Sequence, residues 1–378
     1  MKIIIVGTAY PLRGGIAHFN ALLASHLGTR HDVQTITFKR QYPKLFFPGK
    51  SQEETGDHSN DMPAPQLIDS INPLNWIRVA HQLRKLNPDL LIFKYWLPFF
   101  GPCFGTIAKL VKKQSKAKVL FICDNIIPHE RRPGDVLFTK YAFKQADFFI
   151  VQSDTVEKDL NKHFPAATYR KVPHPVYENF GKAISKEEAR KILGISAKNV
   201  ILYFGYVRQY KGLLVLIDAM KNIDELRASI GDTMLLSVGE FYDDESKYRS
   251  RVEELNLNHC VRFVPDYVPN DQVGLYFSAA DVVVLPYLSA TQSGIAQIAY
   301  NFDKPIIATN VGGLAEVIID GKTGFIIPPN DPKSLAEAVR VFYQDRKETS
   351  FVENVKMEKK KYSWENLVEQ IGELAGEK

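Results

Sequence analysis

Cysteine is scarce in these 378 residues: Cys103, Cys123 and Cys260, none spaced as C-x-x-C. An odd, scattered set speaks against a disulfide framework or a cysteine-rich zinc site and for a reducing compartment. Long apolar runs are missing as well. No stretch approaches the ~20 residues a membrane helix needs, and the opening run at 3–6 is too short for a secretory leader, with Arg13 and two glycines close behind it. The expected location is therefore the cytoplasm. The fingerprint G-x-G-x-x-G is absent, which removes the usual dinucleotide site. Carboxylates are lacking in one informative place: no Asp or Glu occurs between Asp281 and Asp303.

What is present is a strand–helix alternation long enough for two domains, each with its own core. Residues 2–7 form a β-branched run without polar alternation, as in a strand buried on both faces. The loop Tyr10-Pro11-Leu12-Arg13-Gly14-Gly15 follows, and then Ile16, Phe19, Leu22, Leu23 and Leu27 are spaced for one helix face. Strand patterns at 33–38, 89–93, 119–123 and 148–151 alternate with helical ones at 74–86, 104–116, 136–145 and 154–163. The stretch 39–72, rich in proline, glycine and polar residues, reads as an irregular flap. Residues 173–181, with two prolines, make a hinge. The pattern then restarts, with strands at 200–204, 234–238, 261–264, 282–286 and 305–309 and helices between them. Helices at 333–344, 349–362 and 364–375 close the chain. The expected fold class is α/β, with two doubly wound Rossmann-like domains and an interdomain cleft. The boundaries are 1–178, 179–360 and a C-terminal helix at 361–378 that crosses back to the first domain.

The second half is organised around 284–329. A buried strand runs into the turn Ser289-Ala290-Thr291-Gln292-Ser293-Gly294 and an apolar helix from Ile295. A second strand leads to Val311-Gly312-Gly313 and another short helix. A helix start has free N–H groups and partial positive charge, so it suits an anion such as diphosphate, and ligands of open α/β sheets sit at this edge. Gly205-Tyr206-Val207-Arg208-Gln209-Tyr210-Lys211-Gly212 lies between a strand and a helix at the same edge. Arg208 and Lys211, three apart, combine a rigid fork with a point charge, as diphosphate binding requires.

Gly205 to Gly212 resembles the strand–G-x-x-x-x-x-K-G element of retaining glycosyltransferases of family 4. The run TQSGIAQIAYNFDKPIIATNVGGLAEVIIDGKTGFIIPPND (residues 291–331) is similar to that family's donor-binding region. In the first half the likeness is looser: Gly14-Gly15, the strand ending at Asp124, and ADFFIVQSD. The resemblance implies a GT-B fold, a nucleotide-sugar donor of UDP or GDP type, transfer with retained anomeric configuration, and neither a bound metal nor any other cofactor. Carried over by position, Arg208 and Lys211 grip the donor diphosphate and stabilise the leaving nucleotide. Gly205, Tyr206, Ser293, Gly294 and Ile295 line the same phosphates, and Gly14 and Gly15 approach from the first domain. Many relatives carry the arginine directly after the glycine, where this chain has Tyr206. Many also carry two glutamates across the turn and helix that follow. Here Thr291, Gln292 and Gln297 stand in that region, amides and a hydroxyl in place of carboxylates, which marks a divergent Thr-Gln-Ser-Gly subgroup.

His129 and Asp124, after the fourth strand, are further candidates to contact the donor sugar, although the family's histidine stands nearer Asp124. Pro265-Asp266-Tyr267-Val268 falls where relatives recognise the base, with stacking on Tyr267 or plain core packing both open. His18, His163 and His174 read as structural. Residues 1–178 hold 24 Lys plus Arg against 15 Asp plus Glu, whereas the rest holds 24 against 28, so the first half is expected to meet something anionic. The lysines 109, 112, 113 and 116, with Tyr95, Trp96, Phe99, Phe100 and Leu45-Phe46-Phe47, suggest an anionic membrane surface on the inner face of the plasma membrane. The expected acceptor is then a glycan or polyprenyl-diphosphate-linked sugar in surface polysaccharide or lipopolysaccharide synthesis. A catalytically silent nucleotide-binding or scaffold subunit is the alternative, motivated by the missing glutamates. A nucleotide-sugar epimerase would need acid/base carboxylates that are not well placed here.

Overall fold

The computed structural model describes residues 1–43, 64–127, 132–290 and 293–377. The chain divides into two compact units, Met1–Pro175 with Tyr362–Lys378, and Val176–Lys361.

The first unit is built on a seven-stranded parallel sheet of β1 (Lys2–Val6), β2 (Asp32–Arg40), β3 (Gln66–Asp69), β4 (Leu90–Tyr95), β5 (Lys118–Cys123), β6 (Phe148–Val151) and β7 (Tyr169–Lys171), in the order β3-β2-β1-β4-β5-β6-β7. Its inner strands are apolar on both faces because helices cover both: Ile3, Ile4, Ile5 and Val6 are fully buried, as are Leu91, Ile92 and Phe93. β3 falls inside the stretch expected to be irregular. Its short Gln-Leu-Ile-Asp run has too few apolar residues to announce a strand, and it is recruited by pairing with β2. Leu45, Phe46 and Phe47 lie outside the described residues. The helix expected from residue 104 begins at Gly101, because Gly101 and Gly105 let it approach the neighbouring helix closely. A Cβ on Gly101 would stand 2.4 Å from the Phe138 carbonyl oxygen. The last helix, Trp364–Ala375, belongs to this unit. Trp364 is fully buried and packs on Phe19 at 5.1 Å between ring centroids.

The second unit carries β8 (Asn199–Phe204), β9 (Thr233–Val238), β10 (Val261–Val264), β11 (Val282–Leu285), β12 (Ile306–Thr309) and β13 (Gly324–Ile327), again all parallel, in the order β10-β9-β8-β11-β12-β13. Both sheets are doubly wound, with the reversal of strand order between β1 and β4 in one and between β8 and β11 in the other. At such switch points the connections leave in opposite directions and open a crevice at the carboxyl ends of the strands.

Candidate functional site

In the second unit the chain leaves β8 through Gly205 at φ +104° and ends its loop on Gly212 at φ +69°. Both need glycine. A Cβ on Gly212 would lie 1.9 Å from the Pro286 carbonyl oxygen, and one on Gly205 would press at 3.2 Å on both Lys211 Nζ and Ile295 Cδ1. The Lys211 ammonium thus sits directly over the glycine backbone, beside the first turn of the helix Gly294–Asn301. It also lies 5.6 Å from the Tyr287 ring centroid, and Tyr287 Oη reaches Ser293 Oγ at 3.3 Å. Arg208 stacks its guanidinium 4.9 Å over Tyr242, whose ring packs on Tyr206 at 4.5 Å. Among the described residues neither cation forms an ion pair. Burial pulls the Lys211 pKa down to about 8, and the like charge of Arg208 adds to the effect.

These contacts bring Gly205, Tyr206, Arg208, Lys211, Ser293, Gly294 and Ile295 to one sheet edge. Gly294 is pressed against Tyr177, where a Cβ would stand 3.2 Å from the ring. Gln297 lies deeper than a ligand-contacting amide should. It is 2 % exposed on the buried face of its helix, and its Oε1 has no partner among the described residues. Tyr267 is half-buried after β10. Thr291, Gln292 and His129 lie outside the described residues. What the arrangement offers chemically is two uncompensated cations, a glycine-lined approach and helix-start N–H groups, all suited to a diphosphate.

In the first unit, Gly14 caps the helix Gly15–Gly28 at φ +114°, with open space where a Cβ would be. Asp124 lies one residue past β5. Its Oδ1 accepts from Lys94 Nζ at 2.6 Å. Lys94 is a lysine inside the apolar run of β4 with a side chain 2 % exposed. It also donates to Gln152 Oε1 at 3.0 Å and lies 3.5 Å over the Phe19 ring. Burial lowers the Lys94 pKa, while Asp124 opposes that shift. His174 packs edge-on to Phe19 at 5.1 Å, and its pKa is pulled down to about 4 by burial and then by Lys94. Sequence reasoning missed Lys94 and Gln152. The available signal was the one charge in Leu-Leu-Ile-Phe-Lys-Tyr, since a lysine on a doubly covered strand must find a partner.

The aromatic residues expected at a membrane are mostly core. Tyr95 and Phe100 are fully buried and Trp96 is 8 % exposed, leaving Phe99 alone at the surface. They fill the gap between β4 and the helices above it, because a strand covered on both faces spends its aromatics inward.

Residues 185–363, nearly all in the second unit, match the family model for Glycosyl transferases group 1. That stretch is thus similar to group 1 glycosyltransferases. A D-inositol 3-phosphate glycosyltransferase of Corynebacterium urealyticum is 30 % identical over 240 residues, covering 61 % of this chain and 56 % of that protein. A lipopolysaccharide 1,2-N-acetylglucosaminetransferase of Salmonella typhimurium is 26 % identical over 235 residues, covering 59 % and 60 %. The chain thus spans little more than half the length of these curated relatives. The Anabaena protein HepE, solved in complex with UDP, superposes with a TM-score of 0.76 over 99 % of both chains at 17 % identity. That likeness bears on the fold, which is GT-B: the group 1 segment is one of two doubly wound α/β units.

Proposed function

We propose that the protein is a retaining glycosyltransferase that moves a sugar from a nucleoside-diphosphate donor to a glycan or lipid-linked acceptor in surface polysaccharide synthesis. The observation that carries this is the pair Arg208 and Lys211, uncompensated at the carboxyl edge of β8 within the group 1 segment. The diphosphate settles against the glycine loop, the Gly294 helix start and the two cations. As the bond from the anomeric carbon to the phosphate oxygen breaks, negative charge builds on the leaving nucleotide. Cations already in place there stabilise that charge without reorganisation, so the nucleotide sugar is a co-substrate and no cofactor is called on. The acceptor hydroxyl attacks from the side the diphosphate leaves, which retains configuration. Asp124 and His129 are the side chains assigned to hydroxyl contacts. HepE, seen in complex with UDP, and the lipopolysaccharide enzyme of Salmonella support a nucleotide donor and a surface glycan acceptor.

The same reading places the first unit at an anionic membrane face. Three helices pack side by side on one side of its sheet, Pro73–Lys85, Gly101–Lys112 and Asp135–Phe143. Their only carboxylate, Asp135, is buried, while Arg78, Lys85, Lys109 and Lys140 are exposed. Leu74, Ile77, Phe99, Leu137 and Phe138 also stand in solvent, with Leu137 68 % exposed. Exposed apolar residues beside basic ones are what a peripheral membrane surface requires.

Calorimetric titration with UDP and GDP, followed by transfer assays over a panel of nucleotide sugars and acceptors, tests the proposal. Micromolar binding of one nucleotide with turnover of its sugar is the expected result. Binding without hydrolysis or transfer across the panel would establish instead the silent subunit suggested by the carboxylate-free stretch between Asp281 and Asp303.

A further inference from the structure

At the amino edge of the second sheet, the edge opposite to Gly205 and Lys211, three side chains of different chemistry converge. The helix Leu213–Glu225 starts beside the glycine loop and carries Asp224 in its last turn. The turn that leads into β10 brings His259 and Cys260 to meet it. Asn256 at φ +57° follows the helix Ser246–Glu254, and the Leu257 carbonyl oxygen then accepts from both Cys260 N and Val261 N at 3.0 Å. In an extended strand two consecutive side chains would point to opposite faces; this tight turn lets both reach Asp224. His259 Nε2 lies 2.9 Å from Asp224 Oδ1, and one ligand atom from each of Asp224, His259 and Cys260 falls within 4.8 Å of the other two.

As a structural cluster this set achieves little. The side chains of His259 and Asp224 are 49 % and 27 % exposed, and a solvated pair of that kind adds little stability. Cys260 is buried and makes one long hydrogen bond among the described residues, from Sγ to the Leu257 carbonyl oxygen at 3.5 Å. As ligands the three are well matched. Zinc takes sulfur at about 2.3 Å and nitrogen or carboxylate oxygen at about 2.0–2.2 Å, which sets tetrahedral ligand atoms ~3.3–3.7 Å apart. Shifts of about an ångström in the two exposed side chains reach that spacing, with the backbone fixed by the turn and the helix.

We propose that Asp224, His259 and Cys260 bind a divalent metal ion of the zinc class, with water in the fourth position. As the metal–sulfur bond forms, the thiol proton leaves to solvent, and His259 ligates as the neutral ring. Thiolate and imidazole select this class over magnesium or calcium. Thiolate and carboxylate together cancel the two charges of the ion, so the complex is neutral at the rim of the apolar core that includes Leu257 and Cys260. Arg227, a cation close to Cys260, is already paired with Asp232. The ion ties the end of the helix Leu213–Glu225 to the start of β10 and takes no part in sugar transfer, so the site stands or falls independently of the transferase reading.

The test is titration of Zn2+, Co2+ and Mg2+ into the untagged full chain, stripped of metal and kept reduced, with metal content, absorption spectrum and melting point read together. The wild type should bind one Zn2+ per chain and gain about 5 °C in melting point at about 100 times Kd. With Co2+ it should show a sulfur-to-metal charge-transfer band, and Mg2+ should do nothing. His259→Gln, at a half-exposed position, should fold as wild type does and lose at least about 100-fold in Zn2+ affinity, because even the outer partners of a ligand cost 10–100-fold. Cys260→Ser should lose the charge-transfer band; Cys103 and Cys123, buried in the first unit, do not supply it. The proposal is overturned if the wild type binds no stoichiometric Zn2+, if His259→Gln binds like wild type, if the Co2+ complex lacks the sulfur band, or if Mg2+ raises the melting point as Zn2+ does.

Discussion

Lys94 and Lys211 both sit at the carboxyl edge of a parallel sheet, beside the point where strand order reverses, and they live in opposite company. Lys94 is sealed among Asp124, Gln152 and Phe19, its charge already answered. Lys211 has glycine backbone, the ring of Tyr287 and a second cation, Arg208, with no carboxylate paired to it among the described residues. Where the protein has answered the charge, the lysine can only arrange its neighbours. Where it has left two like charges together, the missing partner is what the site is for, since unpaired buried cations persist only where something else compensates for them.

The contrast is sharpest in activity and stability read side by side. Lys211→Ala should reduce transfer by about 100- to 1000-fold, the usual consequence of removing one preorganised donor to a departing charge. Undiminished transfer in that variant would end the assignment. In stability the order reverses. Lys94→Met strands a carboxylate and should cost about 3 kcal/mol, readable as a lower denaturation midpoint. Lys211→Met removes a cation repelled by Arg208, and should hold or raise the melting point by about 2 °C while UDP binding falls. A melting point lowered equally by both substitutions would erase the distinction.

The outer faces of the units differ in the same spirit. The first exposes apolar side chains in a basic helical layer whose one carboxylate, Asp135, is buried, whereas the exposed apolar residues of the second, Ile192, Tyr210, Leu288, Ile319 and Met357, are dispersed, with Tyr210 and Leu288 adjoining through a backbone hydrogen bond. Vesicles of phosphatidylcholine with phosphatidylglycerol should sediment the protein, and Leu137→Ser with Phe138→Ser should weaken this about tenfold, from ~25 cal/mol per Å2 of apolar surface no longer buried. Added salt should weaken what is left. Binding unaffected by both changes would mean that another surface, or none, meets lipid.

The fold was legible because its signals are local and repeated. Val282, Val283 and Val284, or Ile3 to Val6, have no polar face to show, and only a doubly covered strand tolerates that. Arg208 and Lys211 were legible from their place between a strand and a helix, with glycines at either end of the loop. β3 and Lys94 were harder for one shared reason: each depends on partners distant in sequence. Gln66–Asp69 becomes a strand through β2, and Lys94 finds Asp124 and Gln152 thirty and fifty-eight residues on. The membrane aromatics misled because Tyr95, Trp96 and Phe100 have the same letters whether they face lipid or core. Only packing shows that they are inside while Leu137 and Phe138, on a helix with apolar residues all round, are not.

The smallest expected effect separates the two causes of the Lys211 shift. Its pKa of about 8 lies below the ordinary lysine value of 10.5 because of burial first and Arg208 second. Between these values the folded state binds fewer protons than the unfolded, so this group makes the ligand-free protein more stable as pH rises through that window. Nucleotide binding runs the other way, because the diphosphate requires the ammonium. UDP affinity should be flat between about pH 7 and 8 and then fall by up to about tenfold per pH unit above it, a range in which the terminal phosphate of UDP, with its second ionisation near 6, stays charged. Arg208→Gln removes the like charge, so the break should move upward by a few tenths of a pH unit even as affinity drops at every pH. A break that stays at pH 8 in Arg208→Gln would mean that burial alone sets it, and that the two cations do not share one ligand.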